Sequence, residues 1–455
     1  MEHFDLIVLG AGPAGYLAAE RAGQSGLKVL LIEKAKIGGV CLNEGCIPSK
    51  TLLHSAKIYA YATHGGAYGV SAQQVGLDQV AVVARKDKIV KNLVTGVRHT
   101  LKSANVQIRE GRGIIKGRSL QDIRVAVDND LYSCDRLLIA TGSETIIPPI
   151  PGMVEGLASG QILTNREILN LNQIPESLVV VGGGVIGLEM ASYYNSIGSK
   201  VTVIEMLDHI AGASDRELSD LLQKNLEKLG IVFHMGCEVT GIGPDGVSFS
   251  RDTEQKTITA EKILLSVGRR PVIKGFGLET LNVKVTGGRI ETDLHGQTSE
   301  PDVYAAGDVN GTWMLAHVAY REAEVAVNHM LGKHDSMRYV AVPSVVYTNP
   351  EMAGVGETEE TCLEKGLSYK KITLPMNYSG RYVAENEGGK GICKLIIDPE
   401  SQHLLGCHIL GSYASEIIMN AGIMIDMEIA VDRIKELIFP HPTVTEIIRE
   451  SIFHI

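Results

Sequence analysis

The segment Phe4 to Gly15, FDLIVLGAGPAG, constrains the fold more than any other stretch of the chain, because its plan occurs twice. An apolar run without alternation suits a strand buried on both faces of a parallel sheet. Glycines at 10, 12 and 15 then open the helical stretch YLAAERAGQSG, and a second strand, KVLLIE, ends at Glu33. Further on, ESLVVVGGGVIG carries Gly182, Gly184 and Gly187, LEMASYYNSIG follows as a helix, and KVTVIE ends at Glu205. Glu33 stands 23 residues after Gly10, and Glu205 stands 23 residues after Gly182.

The spacing has a physical reading. The first glycine allows a tight turn, the second lets the backbone approach a pyrophosphate, and the third permits close packing of helix on strand. The helix N-terminus then faces the phosphates, and the terminal acid accepts from an adenosine ribose. One such turn could be a packing device; two, each with strand, helix, strand and acid in register, define two Rossmann-like dinucleotide-binding domains in an α/β chain. Two sites take two dinucleotides, or a flavin dinucleotide together with a nicotinamide dinucleotide, the pairing that passes electrons between a two-electron carrier and another redox centre. At the second site a 2′-phosphate would meet the Glu205 carboxylate, and the residues that follow, MLDHI, offer no arginine, so NAD is preferred over NADP.

With 455 residues, 44% of them hydrophobic and 21% charged, the chain can bury several cores, and its 50 glycines fit many tight turns. A net charge of -10 without a basic tract disfavours nucleic acid as a partner. No apolar run reaches membrane-spanning length, and the N-terminus runs straight into a strand, so the expected compartment is the cytoplasm.

Seven cysteines include a single close pair, Cys41 and Cys46, separated by four residues in IGGVCLNEGCIPSK. A helix opening near either one would place partial positive charge beside a thiolate and favour reversible disulfide chemistry. Two buried reduced thiols are the plain alternative. A metal site would want a second ligand pair, which the sequence lacks, so no metal is expected.

These motifs, GAGPAG, GGVCLNEGCIPSK, ATGS, GGGVIGLE, VGRRP, YAAGDV, LAH and the closing HPTVTE, resemble those of the flavin-dependent pyridine nucleotide-disulfide oxidoreductases over essentially the whole chain. Val40 stands where that family commonly has threonine, and Glu44 where valine is common; both sit beside the cysteines. The resemblance implies FAD and NAD as cofactors, Cys41 as the thiol that meets a dithiol substrate, and Cys46 as the thiol against the flavin. It places Lys50 near the flavin N5 with Glu189 as its ion-pair partner, Glu33 at the ribose, the Gly113 backbone on the adenine side, Asp308 at the ribityl and phosphate region, and Ala316 near the ring. It puts Val239 and Gly268 beside the second glycine turn and Glu205. It makes His441 the general base for the dithiol, oriented by Glu446, and has that histidine reach the cysteines of the partner subunit, so that the working unit is a homodimer.

The FAD domain is expected over 1–143, the NAD domain over 144–265, a central segment completing the FAD site over 266–334, and an α+β dimerisation domain over 335–455. Within the family, CIPSK, Glu205 and HPTVTE resemble most the members that oxidise a protein-bound dihydrolipoyl group. That implies, as partner, a lipoylated carrier of a 2-oxo acid dehydrogenase or glycine cleavage system. A related NAD(P)H-dependent flavin disulfide reductase with a different disulfide substrate is the alternative.

Overall fold

Apolar strands that end in glycine turns and lead into helices can pack only as parallel sheets, and such sheets open two units of the chain. The computed structural model describes residues 1–119, 122–244 and 246–455. The first unit comprises Met1–Pro48, Ala84–Ile146 and Gly268–Arg338, and the second Ser49–Val83, Ile147–Val267 and Tyr339–Ile455.

In the first unit the strands Gln107–Glu110, Val29–Glu33, Glu2–Leu9 and Asp130–Ile139 lie side by side and parallel. Asp122–Val127 and Gly113–Ser119 continue the sheet antiparallel. A late strand, Val303–Ala305, adds parallel to Asp130–Ile139. Its register matters for the site. Leu9 and Ala305 both stand level with Ile139, so the turns after Leu9, Ile139 and Ala305 emerge together at the carboxyl ends of neighbouring strands. Open α/β sheets bind ligands there. Phe4, Leu6, Ile7, Val8, Leu30 and Leu31 are all fully buried, each burial contributing about 1.5–3 kcal/mol. A charge at Val8 would disrupt this sheet.

The second unit repeats the plan in the strand order Val232–Met235, Lys200–Glu205, Ser177–Val181, Lys262–Leu265, Ile162–Leu163, all parallel. An antiparallel trio, Glu238–Gly243, Gly246–Arg251 and Glu254–Ile258, is inserted before Lys262. The C-terminal part is different in kind: a five-stranded antiparallel sheet, ordered Ser344–Val346, Met352–Gly356, Leu404–Leu410, Ile392–Ile397, Lys370–Pro375. The helices Ala414–Asp426 and Glu446–Phe453 cover it.

One residue of that sheet is polar and fully buried. The Lys394 ammonium lies 2.9 Å from Asp215, 3.1 Å from Glu217 and 2.5 Å from Glu359. Asp215 is itself buried and caps the helix Arg216–Lys228, accepting from the Leu218 amide. A buried charge persists only when paired and hydrogen-bonded, and here three carboxylates from two helix starts meet one ammonium.

Candidate active site

Gly10 takes φ +101°, and a Cβ there would lie 2.3 Å from the Ala140 carbonyl oxygen. At Gly15 a Cβ would lie 1.8 Å from the Gly10 oxygen, so the helix Pro13–Gln24 can approach its strand only without one. Gly12 caps that helix without a side-chain hydrogen bond, which leaves the first-turn amides directed at whatever anion occupies the turn. Glu33, 8% exposed, accepts from the Ala11 amide at 2.6 Å and from the Ala35 amide at 2.7 Å. Sequence reasoning gave this carboxylate a ribose to hold; it also braces the turn. Each oxygen can accept more than one hydrogen bond, so the two tasks are compatible. The turn therefore fits a dinucleotide pyrophosphate.

The second turn repeats these choices. Gly182 has φ +106° with a Cβ position 2.5 Å from the Ser266 oxygen, and a Cβ at Gly187 would meet the Gly182 oxygen at 2.2 Å. Gly184 caps Val185–Ser196, again without a side-chain hydrogen bond. Glu205 accepts from the Gly183 amide at 2.6 Å and the Leu207 amide at 2.8 Å. Val239 is buried in the core beside Ile242, next to a register shift between Val239 and Gly241, so only its backbone can serve a ligand. Gly268, at φ +113°, lies in the first unit, where its carbonyl accepts from the Ile146 amide.

Cys41 sits within the short helix Gly39–Glu44, half-buried, and Cys46 is the exposed first residue of the helix Cys46–His64; the two lie near each other. The Asn43 side-chain amide donates to the Ile37 and Gly39 carbonyls at 3.0 and 2.9 Å, which ties the segment down. The other five cysteines are buried. Burial pushes the Cys134 thiol up to about 12 and raises Cys362, while the bond to Cys393, with burial, raises Cys407. Such thiols are poor nucleophiles.

One turn beyond Cys46, the Lys50 ammonium donates to both oxygens of Glu189, at 2.9 and 2.8 Å, and stands 4.2 Å from the Tyr347 ring centroid. Glu189 is 3% exposed and takes a third bond, from the Tyr347 amide at 3.2 Å. Tyr347 was invisible to motif reading, since nothing in VVYTNP marks it. Asp308, just past Val303–Ala305, accepts from the Ser143 hydroxyl at 2.5 Å; Arg269 donates to that hydroxyl at 2.8 Å and to the Ser143 carbonyl at 2.7 Å. Ser143 and Arg269 belong to the ATGS and VGRRP motifs, whose side chains had no assigned task. Ala316 begins the helix Ala316–Met330, and Gly113 begins its strand where a Cβ would lie 2.6 Å from Leu9.

At the C-terminal end, the His441 Nδ1 lies 2.8 Å from Glu446 Oε1, and the Thr443 amide donates to Oε2 at 2.8 Å. Burial would raise the Glu446 carboxyl, but the Thr443 amide and His441 outweigh it and hold it below the ordinary range. With Nδ1 engaged and the side chain 78% exposed, the Nε2 edge is left to exchange protons with solvent or a reactant.

Two dinucleotide turns, a cysteine pair that escapes burial and a carboxylate-held imidazole define a class of electron-transferring thiol enzymes, and comparison gives that class its name. The pyridine nucleotide-disulphide oxidoreductase family matches residues 4–323, and the dimerisation domain of the same family matches residues 342–452. The chain belongs to this family, and it is an oxidoreductase that uses FAD and NAD. It is 38% identical over 454 residues to a dihydrolipoyl dehydrogenase of Mycoplasma pneumoniae, covering 98% of this chain and 97% of that one. To the dihydrolipoyl dehydrogenase of Thermus scotoductus it is 39% identical over 460 residues, with 99% and 97% covered. The crystal structure of LpdA from Mycobacterium tuberculosis superposes with a TM-score of 0.89 at 25% identity, covering 100% of this chain and 99% of the other. Among the described residues, no helix is long and apolar enough to cross a membrane.

Proposed function

We propose that the enzyme oxidises a dihydrolipoyl group, carried on a separate protein of a 2-oxo acid dehydrogenase or glycine cleavage system, to the lipoyl disulfide while reducing NAD to NADH. The observation that carries this reading is that, of seven cysteines, only Cys41 and Cys46 escape burial, and they lie near each other. The relatives named above supply the substrate class. The working unit is a homodimer in which His441 of the partner subunit takes the proton of the incoming dithiol, and the compartment is the cytoplasm.

In this mechanism the substrate thiolate attacks Cys41 of the Cys41–Cys46 disulfide, a mixed disulfide forms, and Cys46 leaves as thiolate. The second substrate thiol then closes the lipoyl ring and releases Cys41. FAD, when bound, relays the electron pair from the dithiol to NAD as a hydride. Gly10, Gly12, Gly15, Glu33, Gly113, Asp308 and Ala316 hold the flavin dinucleotide, with Lys50 near the ring and Glu189 fixing its ammonium. Gly182, Gly184, Gly187, Glu205, Val239 and Gly268 hold NAD. Glu446 keeps the imidazole oriented and stabilises its cation.

Steady-state reduction of NAD and of NADP by dihydrolipoamide tests the reading. NADH formation with little NADPH is expected. Activity with neither nucleotide, in a protein that holds FAD and whose Cys41–Cys46 pair can be reduced, would assign the chain to a different disulfide substrate. His441→Ala should slow the dithiol half-reaction by about 100-fold or more while leaving NADH-driven dye reduction near its original rate; equal losses in both would remove His441 as the base.

A further inference from the structure

Tyr16 and Tyr320 stand 304 residues apart in the chain, and their hydroxyls meet at 2.5 Å with rings edge to face, centroids 6.0 Å apart. Neither hydroxyl has another hydrogen-bond partner among the described residues. Two other buried tyrosines end their chains on protein acceptors: Tyr193 on Gln79, Tyr194 on the Ile168 carbonyl. A pair of hydroxyls bonded only to each other uses one of its two hydrogens. The second remains available, and Tyr16, at 8% exposure, has little water to give it to.

The backbone brings the Cys41 segment against the helix that carries Tyr16. A Cβ at Gly39 would lie 2.6 Å from the Gly12 Cα, so the cysteine segment rests directly on the start of the first helix. Tyr16 lies one turn along that helix, its amide donating to the Gly12 carbonyl at 2.9 Å, and Cys41 follows Gly39 by two residues. Tyr320 comes from the helix Ala316–Met330, which packs along the first helix; Gly307 lies between Ala14 and Ala319, a Cβ there only 3.3 Å from each. Burial, then the mutual bond, then negative charge at Cys41 push the Tyr16 phenol far up; burial and charge at Cys41 and Cys46 raise Tyr320 against the lowering effect of the mutual bond. Both phenols therefore stay protonated, and both respond to charge on the cysteine pair.

We propose that, when the cysteine pair is reduced, the spare hydrogen of the Tyr16–Tyr320 hydroxyl pair turns to the Cys41 sulfur and stabilises its thiolate. The idea rests on the redox role of Cys41 given above and adds to it the groups that set how readily that sulfur exchanges. Other ionisable groups on the elements around Cys41 are Glu20 and Arg21 on the first helix, Glu44 and Cys46 on its own segment, Lys50 one turn beyond, and His317, Arg321, Glu322, Glu324 and His329 on the helix of Tyr320. Tyrosine to phenylalanine changes leave all of these in place.

The test reduces the FAD-loaded protein anaerobically with one equivalent of dithiothreitol. Iodoacetamide alkylation of the Cys41 and Cys46 peptides is then followed by mass spectrometry as a function of pH. In Tyr320→Phe the Cys41 midpoint should rise, with alkylation near neutral pH about tenfold slower, as expected for losing a hydrogen bond to a charged group. The Tyr16→Phe/Tyr320→Phe double variant should be no worse than the single ones, because the pair acts as a unit, and Cys46 and FAD content should not change. An unmoved Cys41 midpoint in the double variant, or an equal shift at Cys46, overturns the proposal. If Cys41 in the unsubstituted protein never becomes alkylatable on reduction, the redox assignment itself is wrong, a result distinct from either.

Discussion

The two glycine turns make the same backbone choices and differ in what stands over them. Both begin with a glycine near φ +100°, both exclude a Cβ at the third glycine, and both are braced by a glutamate from the next strand. Over the first lies the cysteine segment, with Gly39 pressed on Gly12; over the second, a Cβ at Gly184 would meet nothing within 4 Å. Val185, Ile186, Met206 and Leu207 are exposed around the second turn, whereas Glu33 and Ala14 beside the first are buried. A covered turn suits a cofactor that stays, and an open one suits a cofactor that must leave after each turnover. The strands that follow diverge too: the first leads into the cysteines, the second into a helix whose capping Asp215 is held by Lys394.

The sharpest break of this comparison is Gly15→Ala. Its methyl group would overlap the Gly10 oxygen, and the protein should be isolated without bound flavin, read from its visible absorbance. Gly187→Ala makes the same clash in the open turn, yet it should keep its flavin and lose NAD-linked turnover by about 100-fold. Loss of the same cofactor from both variants would contradict the division of labour.

Lys394→Met is expected to lower stability by about 3–5 kcal/mol in denaturant unfolding, because Asp215 would be left buried and unpaired. It should also alter acid sensitivity. Burial favours protonation of Glu359, but Lys394 and Lys371 outweigh it and bring the carboxyl to about 2 from an ordinary 4.5. A carboxyl held low in the folded state adds stability that is complete above 4.5 and disappears as pH falls towards 2. That loss should be blunted in the variant, and an unchanged acid profile would mean the cluster does not couple.

The smallest effects belong to the braces. Glu33→Gln should cost more than Glu205→Gln, by about 1 kcal/mol of cofactor affinity, because Glu33 is the more buried. Titration of flavin into apoprotein and of NAD into holoprotein would measure each.

Much of this comparison was legible in the sequence, for a definite reason. Glycine spacing and a strand-terminal acid are local, and the backbone conformations they require follow from the absence of a Cβ. The pairing of Lys50 with Glu189 was available only through family motifs, since 139 residues separate the two. The contacts of Tyr347 with that pair, of Tyr16 with Tyr320, and of Lys394 with three carboxylates were not legible at all. Each depends on which strand or helix lies beside which, and an isolated lysine in KLII reads as an edge residue of a strand rather than its buried centre. The short strand Val303–Ala305 is a similar case: the YAAGDV motif is legible, but the return of this strand to the first sheet, in register beside Asp130–Ile139, is set by the sheet.

The bracing glutamates carry an evolutionary cost. In each turn the carboxylate proposed to recognise a ribose also supports the glycine loop itself, through the Ala11 and Ala35 amides in one case and the Gly183 and Leu207 amides in the other. Selectivity and scaffold therefore share the same atoms. A lineage drifting toward a phosphorylated nucleotide could not simply exchange Glu205 for a cation; it would first need another acceptor for two orphaned amides, and nucleotide preference would change by paired steps.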